Sequence, residues 1–542
     1  MFSSWSCHKT HLVRSLWAIA SIICLQMPIA VAQLSSTGLG DLDLWAANFL
    51  EADEPALPAT TWSASDSDIL LALTRNAQTR RLSPAEQLLM RRLVLSASDA
   101  PANEKADTLL AERARLMFQI GEASAAAQIL PSLKAAPAGL QTDEIAIDLQ
   151  LAIGQTEAAC LNGAGADKEG AFWISLRAAC FALEDNFEQA ELALELANET
   201  DGIDGWLRRA IFAASGDLQT KPEARFDSGL SLAISAKAGL EPSINTIANS
   251  RLDLAAAIAR QDTFDPSMRV QAAGVAAEAG LLSAEEHRAL YKALVESPKF
   301  SPRTPLEVAM QAAFRRPQET AAKARMIRAA LRTARGNAAR FGAVSRLLYT
   351  DLKTVPPSEA QKRMAFDFAL AGIAAGDYEL ATGWAKLSED QNAFQAAWAH
   401  GLIALAREDE DKSELDTIAQ ALLAGSRSVA QKDMTARLFT LWYATGRSLP
   451  PKARAFLSTA RSSASRPEQR ASQYTLTAIA AASREGAAAE LILQTVSLTS
   501  GSANEMTTAD ISELVRALMQ LGETKAARML ATEATGYFRT NR

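Results

Sequence analysis

Histidine and cysteine, on which most metal and nucleophile chemistry depends, are scarce: the 542-residue chain has four of each. His8, His11, Cys7 and Cys24 all fall in the first 32 residues, leaving His287, His400, Cys160 and Cys180 for the body of the chain. The two histidines are more than a hundred residues apart, and neither has a second ligand at helical spacing. No HExxH pair or Cys/His cluster occurs, so metal chemistry has no visible carrier. There is likewise no GxSxG elbow, Walker loop or strand-led GxGxxG, and Gly163-Ala164-Gly165 reads only as a loop. Carboxylates are plentiful, and a hydrolase needs only two. The helical pattern nevertheless runs to Leu530, with nothing like the Glu-Ser motif followed by a Gly-rich segment that a lytic transglycosylase domain carries. The expectation is a protein without enzymatic activity, metal or cofactor.

Cys160 and Cys180 have a different use. The stretch Gly163 to Gly170 between them reads as a loop that can bring a following helix back alongside. In an oxidising compartment such a pair forms a disulfide. The alternative is two buried thiols held beyond the ~7 Å Cα limit.

A compartment follows from the N-terminus. Lys9 and Arg14 make the start basic, no acid precedes Asp41, Leu16 to Leu25 is an apolar run, and Ala30-Val31-Ala32 is a small-x-small cleavage pattern. Residues 1–32 therefore read as a cleaved secretory signal peptide. Gln26 and Pro28 interrupt the run before the ~18 residues a membrane helix needs. Ile22 and Ile23 are too bulky for a lipobox before Cys24. No later stretch is apolar enough to span a bilayer, so the expected location is the bacterial periplasm. The formal net charge of −7 argues against nucleic acid as a general partner.

Arginine is the one charged residue with a conspicuous arrangement. Between Arg315 and Arg346 lie nine basic residues, Arg315, Arg316, Lys323, Arg325, Arg328, Arg332, Arg335, Arg340 and Arg346, against one acid, Glu319. Arg325, Arg328, Arg332 and Arg335 follow i, i+3, i+7, i+10, one face of a helix. Such a stripe suits a partner protein's acidic surface or an anionic envelope polymer. A solvated outer face is the other reading. The acidic turn Glu408 to Asp411 lacks the alternating ligands and central Gly of an EF-hand and reads as a solvated loop.

The elements that position these residues are helices. The chain is 48% hydrophobic but 6% aromatic, with Ala dominant among the apolar residues, and period-two β-branched runs are nearly absent. A turn residue followed five positions later by Ala recurs as Gly121/Ala126, Gly154/Ala159, Asp185/Ala190, Gly376/Ala381 and Gly522/Ala527. The turn residue ends one helix in a left-handed conformation, and the Ala lets the next approach closely. Turns at 121, 154, 185 and 216, and again at 376, 409, 446, 486 and 522, give steps of 31 to 40 residues. That period predicts an all-α superhelical solenoid of helix–turn–helix hairpins. Capping boxes are expected at Ser83/Glu86, Ser283/Glu286, Thr304/Glu307, Ser358/Gln361 and Ser465/Glu468, with Asp265 as a simpler cap.

Gly376-Asp377-Tyr378-Glu379-Leu380-Ala381 and Asp185-Asn186-Phe187-Glu188-Gln189-Ala190, the latter flanked by Phe181, Leu194 and Ala197, resemble tetratricopeptide repeats, whose unit is 34 residues. The helix-A tryptophan and closing proline of that family are missing, so the resemblance is to a degenerate form and covers about a third of the chain. A generic stack of Ala-rich hairpins is equally compatible. The expected organisation is 1–32 signal peptide, 33–67 irregular segment, 68–217 N-terminal repeats, 218–357 central helices and 358–542 C-terminal repeats. Within 33–67, Leu42, Trp45 and Phe49 have helical spacing and predict a short amphipathic helix. The function expected of such a scaffold is binding another protein and organising an envelope assembly. Peptidoglycan or polysaccharide binding is the alternative, and it requires Trp173, Trp206, Trp384, Trp398 and Trp442 to line a groove.

Overall fold

In the computed structural model the described residues are 43–135, 141–164, 170–196, 204–216, 218–315, 319–409, 411–460 and 469–539. The signal peptide, the Ser465/Glu468 box, Ala197 and Arg316 lie outside them. The described residues form 27 α-helices and no strand, and most successive helices pack as neighbours, an all-α solenoid.

The turn-and-Ala pattern accounts for the hairpins. Gly376 takes φ +80° and ends the Ala365–Ala375 helix. Asp185 takes φ +62° in the equivalent turn, a conformation that short polar side chains tolerate. All five marker alanines, Ala126, Ala159, Ala190, Ala381 and Ala527, are fully buried. The closeness they permit shows at Gly372, where an added β-carbon would lie 3.0 Å from the Ala381 backbone nitrogen and Cβ. Asp409 departs from the pattern: the Ala393–Ala406 helix ends at Arg407 in extended conformation, and Asp409 pairs with that arginine.

Helix starts follow their caps. Ser83/Glu86, Ser283/Glu286 and Thr304/Glu307 form complete capping boxes, and Asp265 caps Pro266–Glu278. Ser358 instead opens a 3-10 helix, Glu359–Met364, its hydroxyl bonded to the Gln361 side chain rather than to a backbone N–H.

The segment around Trp45 is not helical. Its backbone is held by a buried arginine on the Ala106–Gln119 helix. Arg113 donates to the carbonyls of Trp45, Val94 and Ser96 at 3.3, 2.8 and 2.6 Å, and its guanidinium lies 5.5 Å over the Trp45 ring. Amphipathic spacing predicts burial of Trp45 correctly but not the element, because the segment's backbone pairs outside itself: the Ser98 N–H and Arg113 both donate to the Trp45 carbonyl, and the Phe49 N–H donates to the Leu95 carbonyl.

From Leu44 onward the chain is one compact unit. Its apolar interior forms two clusters. One gathers residues from Ile147 to Leu282 with Ala343; the other joins Trp45 to Leu149 with Val270 to Phe538. The second cluster unites the two ends of the chain, because Pro84–Leu95 packs on Ala488–Thr499 and Thr524–Ala534. Glu86 accepts from the Gly501 N–H at 2.9 Å and from the Thr499 hydroxyl, and Arg92 pairs with Glu523. Repeats here contact more than their sequence neighbours.

Candidate functional site

Cys160 sits on Thr156–Ala164 and Cys180 on Ala171–Leu183. They form a disulfide with Cα atoms 5.6 Å apart, fastening two successive helices.

The arginine stripe divides. Arg325 and Arg332, on the Thr320–Ala334 helix, are exposed and make no hydrogen bond or ion pair among the described residues. Arg328 Nε lies 2.6 Å from Asp367 Oδ2, and Arg335 pairs with the other oxygen of the same carboxylate. Arg335 is not on the helix face at all: it follows the last helical residue with φ −65° and ψ 153°. Burial pushes its guanidinium below the usual arginine range, opposed by Asp367. Its structural use was not visible from spacing, because Asp367 belongs to the Ala365–Ala375 helix, beyond the intervening Ala338–Lys353 helix. Three of the other basic residues are also engaged: Lys323 pairs with Asp351 at 2.9 Å, Arg315 donates to the Ser297 carbonyl at 3.0 Å, and Arg340 lies 3.9 Å from Glu278. Sequence spacing missed Arg363, exposed and unpaired among the described residues on the 3-10 helix that packs against Thr320–Ala334. The surface with cations to spare is thus Arg325, Arg332 and Arg363.

His287 is buried, and burial with the nearby Arg346 charge lowers its pKa to about 4, so it is neutral at physiological pH. His400 is half-buried and lowered by burial, with Nε2 3.7 Å from Glu389. No group of three or more metal-ligating side chains occurs among the described residues. Glu533 has the raised pKa of a general acid, about 8, set by burial and by Glu86. Both carboxyls are sealed between the ends of the chain, however, with at most 5% exposure. Substrate does not reach them.

Trp173, Trp206, Trp384, Trp398 and Trp442 are all buried, so they offer no aromatic platform to a sugar. Where the hairpin period breaks, between Gly205–Ser215 and Gly229–Lys237, the chain forms an irregular wall beside an open cleft of about 730 Å³. Asp204, Trp206, Arg209, Glu223, Asp227 and Asn249 are among its lining residues.

No family model, curated protein or solved structure matches this chain.

Proposed function

We propose that this chain is a non-enzymatic scaffold of tetratricopeptide-like helical hairpins that binds another protein in the periplasm. The observation that carries the reading is the division of the stripe. Asp367 fixes Arg328 and Arg335, while Arg325 and Arg332 project with no partner among the described residues. Arginines presented this way pair bidentately with carboxylates. The disulfide supports an oxidising compartment, and among the described residues no helix is long and apolar enough to cross a membrane. An anionic polymer meets the same charge requirement, but a protein surface also offers apolar contact to the half-buried Met326 beside it.

The test is capture from envelope extract with wild type and R325Q/R332Q at two salt concentrations. A partner recovered by the wild type should be lost in the variant and weakened by salt, because exposed pairs are screened. Equal recovery under every condition contradicts the proposal.

A further inference from the structure

The cleft at residues 204–251 is a second surface, and its walls are built before any ligand arrives. On one side, Asp204 caps the Gly205–Ser215 helix by accepting from the Trp206 N–H at 2.9 Å and pairs with Arg225. The Arg225 guanidinium lies 5.3 Å over the Trp206 ring. That cation occupies the aromatic face on which a sugar would stack. The irregular segment is pinned by its own backbone: Trp206 Nε1 donates to the Glu223 carbonyl at 2.8 Å, and Arg225 N to the Ser235 hydroxyl at 3.2 Å. The Ala224 N–H donates to the Glu241 carbonyl at 3.1 Å. On the far side, Glu223 accepts from the Ser243 N–H and the Thr246 hydroxyl at 3.1 and 2.9 Å. Arg251 is held by Asp148 and Asp253 at 2.8 and 2.7 Å. These hydrogen bonds keep the Asp204 and Glu223 carboxyls below the usual carboxylate range, so both are ionised.

What remains uncommitted defines a ligand. The Arg209 and Asp227 side chains are exposed, of opposite sign, and without a hydrogen bond or ion pair among the described residues, although the Asp227 carbonyl accepts from Arg251 at 3.5 Å. The Asn249 side-chain amide also has no partner among the described residues, and it offers the donor and acceptor that match one peptide unit. The cleft volume falls within the ~300–1,000 Å³ range of ligand sites, and a rigid wall avoids ordering cost on binding.

We propose that this cleft binds an extended polypeptide segment carrying one acidic and one basic side chain. Arg209 receives the acid, Asp227 with Glu223 the base, and Asn249 a backbone amide. The inference rests on the reading of the chain as a protein binder but uses a surface separate from the arginine helix.

The probes are three fluorescein-labelled, N-blocked hexapeptides, Gly-Lys-Ala-Ala-Glu-Gly, its all-alanine counterpart and its reverse, together with chitohexaose as competitor. Anisotropy should show one of the two mixed-charge orders binding at least tenfold tighter than the alanine peptide. R209Q, D227N and N249A should each weaken it about tenfold, and R325Q/R332Q should leave it unchanged. All three cleft side chains are exposed, so the variants should retain wild-type circular dichroism. Binding of all peptides alike, of none, or displacement by chitohexaose overturns the inference. If peptide binding fails while capture through the arginine helix persists, only the cleft is refuted.

Discussion

The Ala85 N–H donates to Glu533 Oε1 at 2.9 Å across 448 positions of sequence. Glu533 thereby receives the first turn of the Pro84–Leu95 helix, beside Glu86, in a buried joint between the two ends of the chain. Burial, reinforced by the Glu86 charge, raises the Glu533 pKa from 4.5 to about 8. The folded protein thus holds a proton that the unfolded chain releases above pH 4.5. Stability from this group is full below that value, falls as pH rises, and levels off past pH 8. His287, lowered to about 4, slopes the opposite way, losing stability as pH falls from 6.5 to 4. Above pH 6.5 His287 no longer contributes, and Glu533 slopes in the same sense as the other buried carboxyls, Glu86 among them, whose pKa burial also raises. Urea unfolding of E533Q should show a shallower decline between pH 6.5 and 9 than wild type, and the variant should be the more stable at pH 9. An unchanged slope would show that the joint holds no such proton.

Gly501 is the other constraint on the joint. It takes φ +79°, and a β-carbon there would lie 2.1 Å from the Arg81 carbonyl oxygen. Gly446 takes a similar φ, +81°, with open space around it. G446A should cost only the left-handed strain, about 1–2 kcal/mol. G501A adds a backbone clash and should cost clearly more. Equal losses in thermal unfolding would mean that the chain ends do not pack as described.

Much of the architecture was legible because it is local. A turn at Gly376 and a small residue at Ala381 are five positions apart, and Ser83 and Glu86 three apart, so their geometry follows from helix periodicity. The joint is not local: nothing near Glu86 points to Glu533, Thr499 or Gly501. Arg335 illustrates the same limit within the candidate site. Its spacing from Arg332 suits a helix, but the helix ends one residue earlier and Asp367 draws the side chain in. The cleft was invisible because a break in the period at residues 218–228 reads as lost pattern, whereas the structure shows a pinned wall.

The Cys160–Cys180 bond closes a separation of 20 residues. C160S/C180S should destabilise the protein by about 3 kcal/mol in the chain-entropy estimate. Reduced wild type should match the variant in urea unfolding. No difference between oxidised and reduced protein would remove the disulfide as a stabilising element.

The four arginines should separate by role. R325Q/R332Q should shift stability by less than about 0.5 kcal/mol, as exposed charges do. D367N strands two cations, one of them largely buried, and should cost about 3 kcal/mol or more. R328Q/R335Q should fall between. A uniform small effect across all three would return the stripe to a plain solvated face.

The most direct measurement places a photo-crosslinking amino acid at Ala329, exposed between Arg325 and Arg332 on the same helix face. Irradiation of intact cells, followed by mass spectrometry, should give one discrete protein adduct that disappears in the R325Q/R332Q background. Absence of any adduct, or an adduct that persists without the two arginines, would contradict a protein-binding role for this surface.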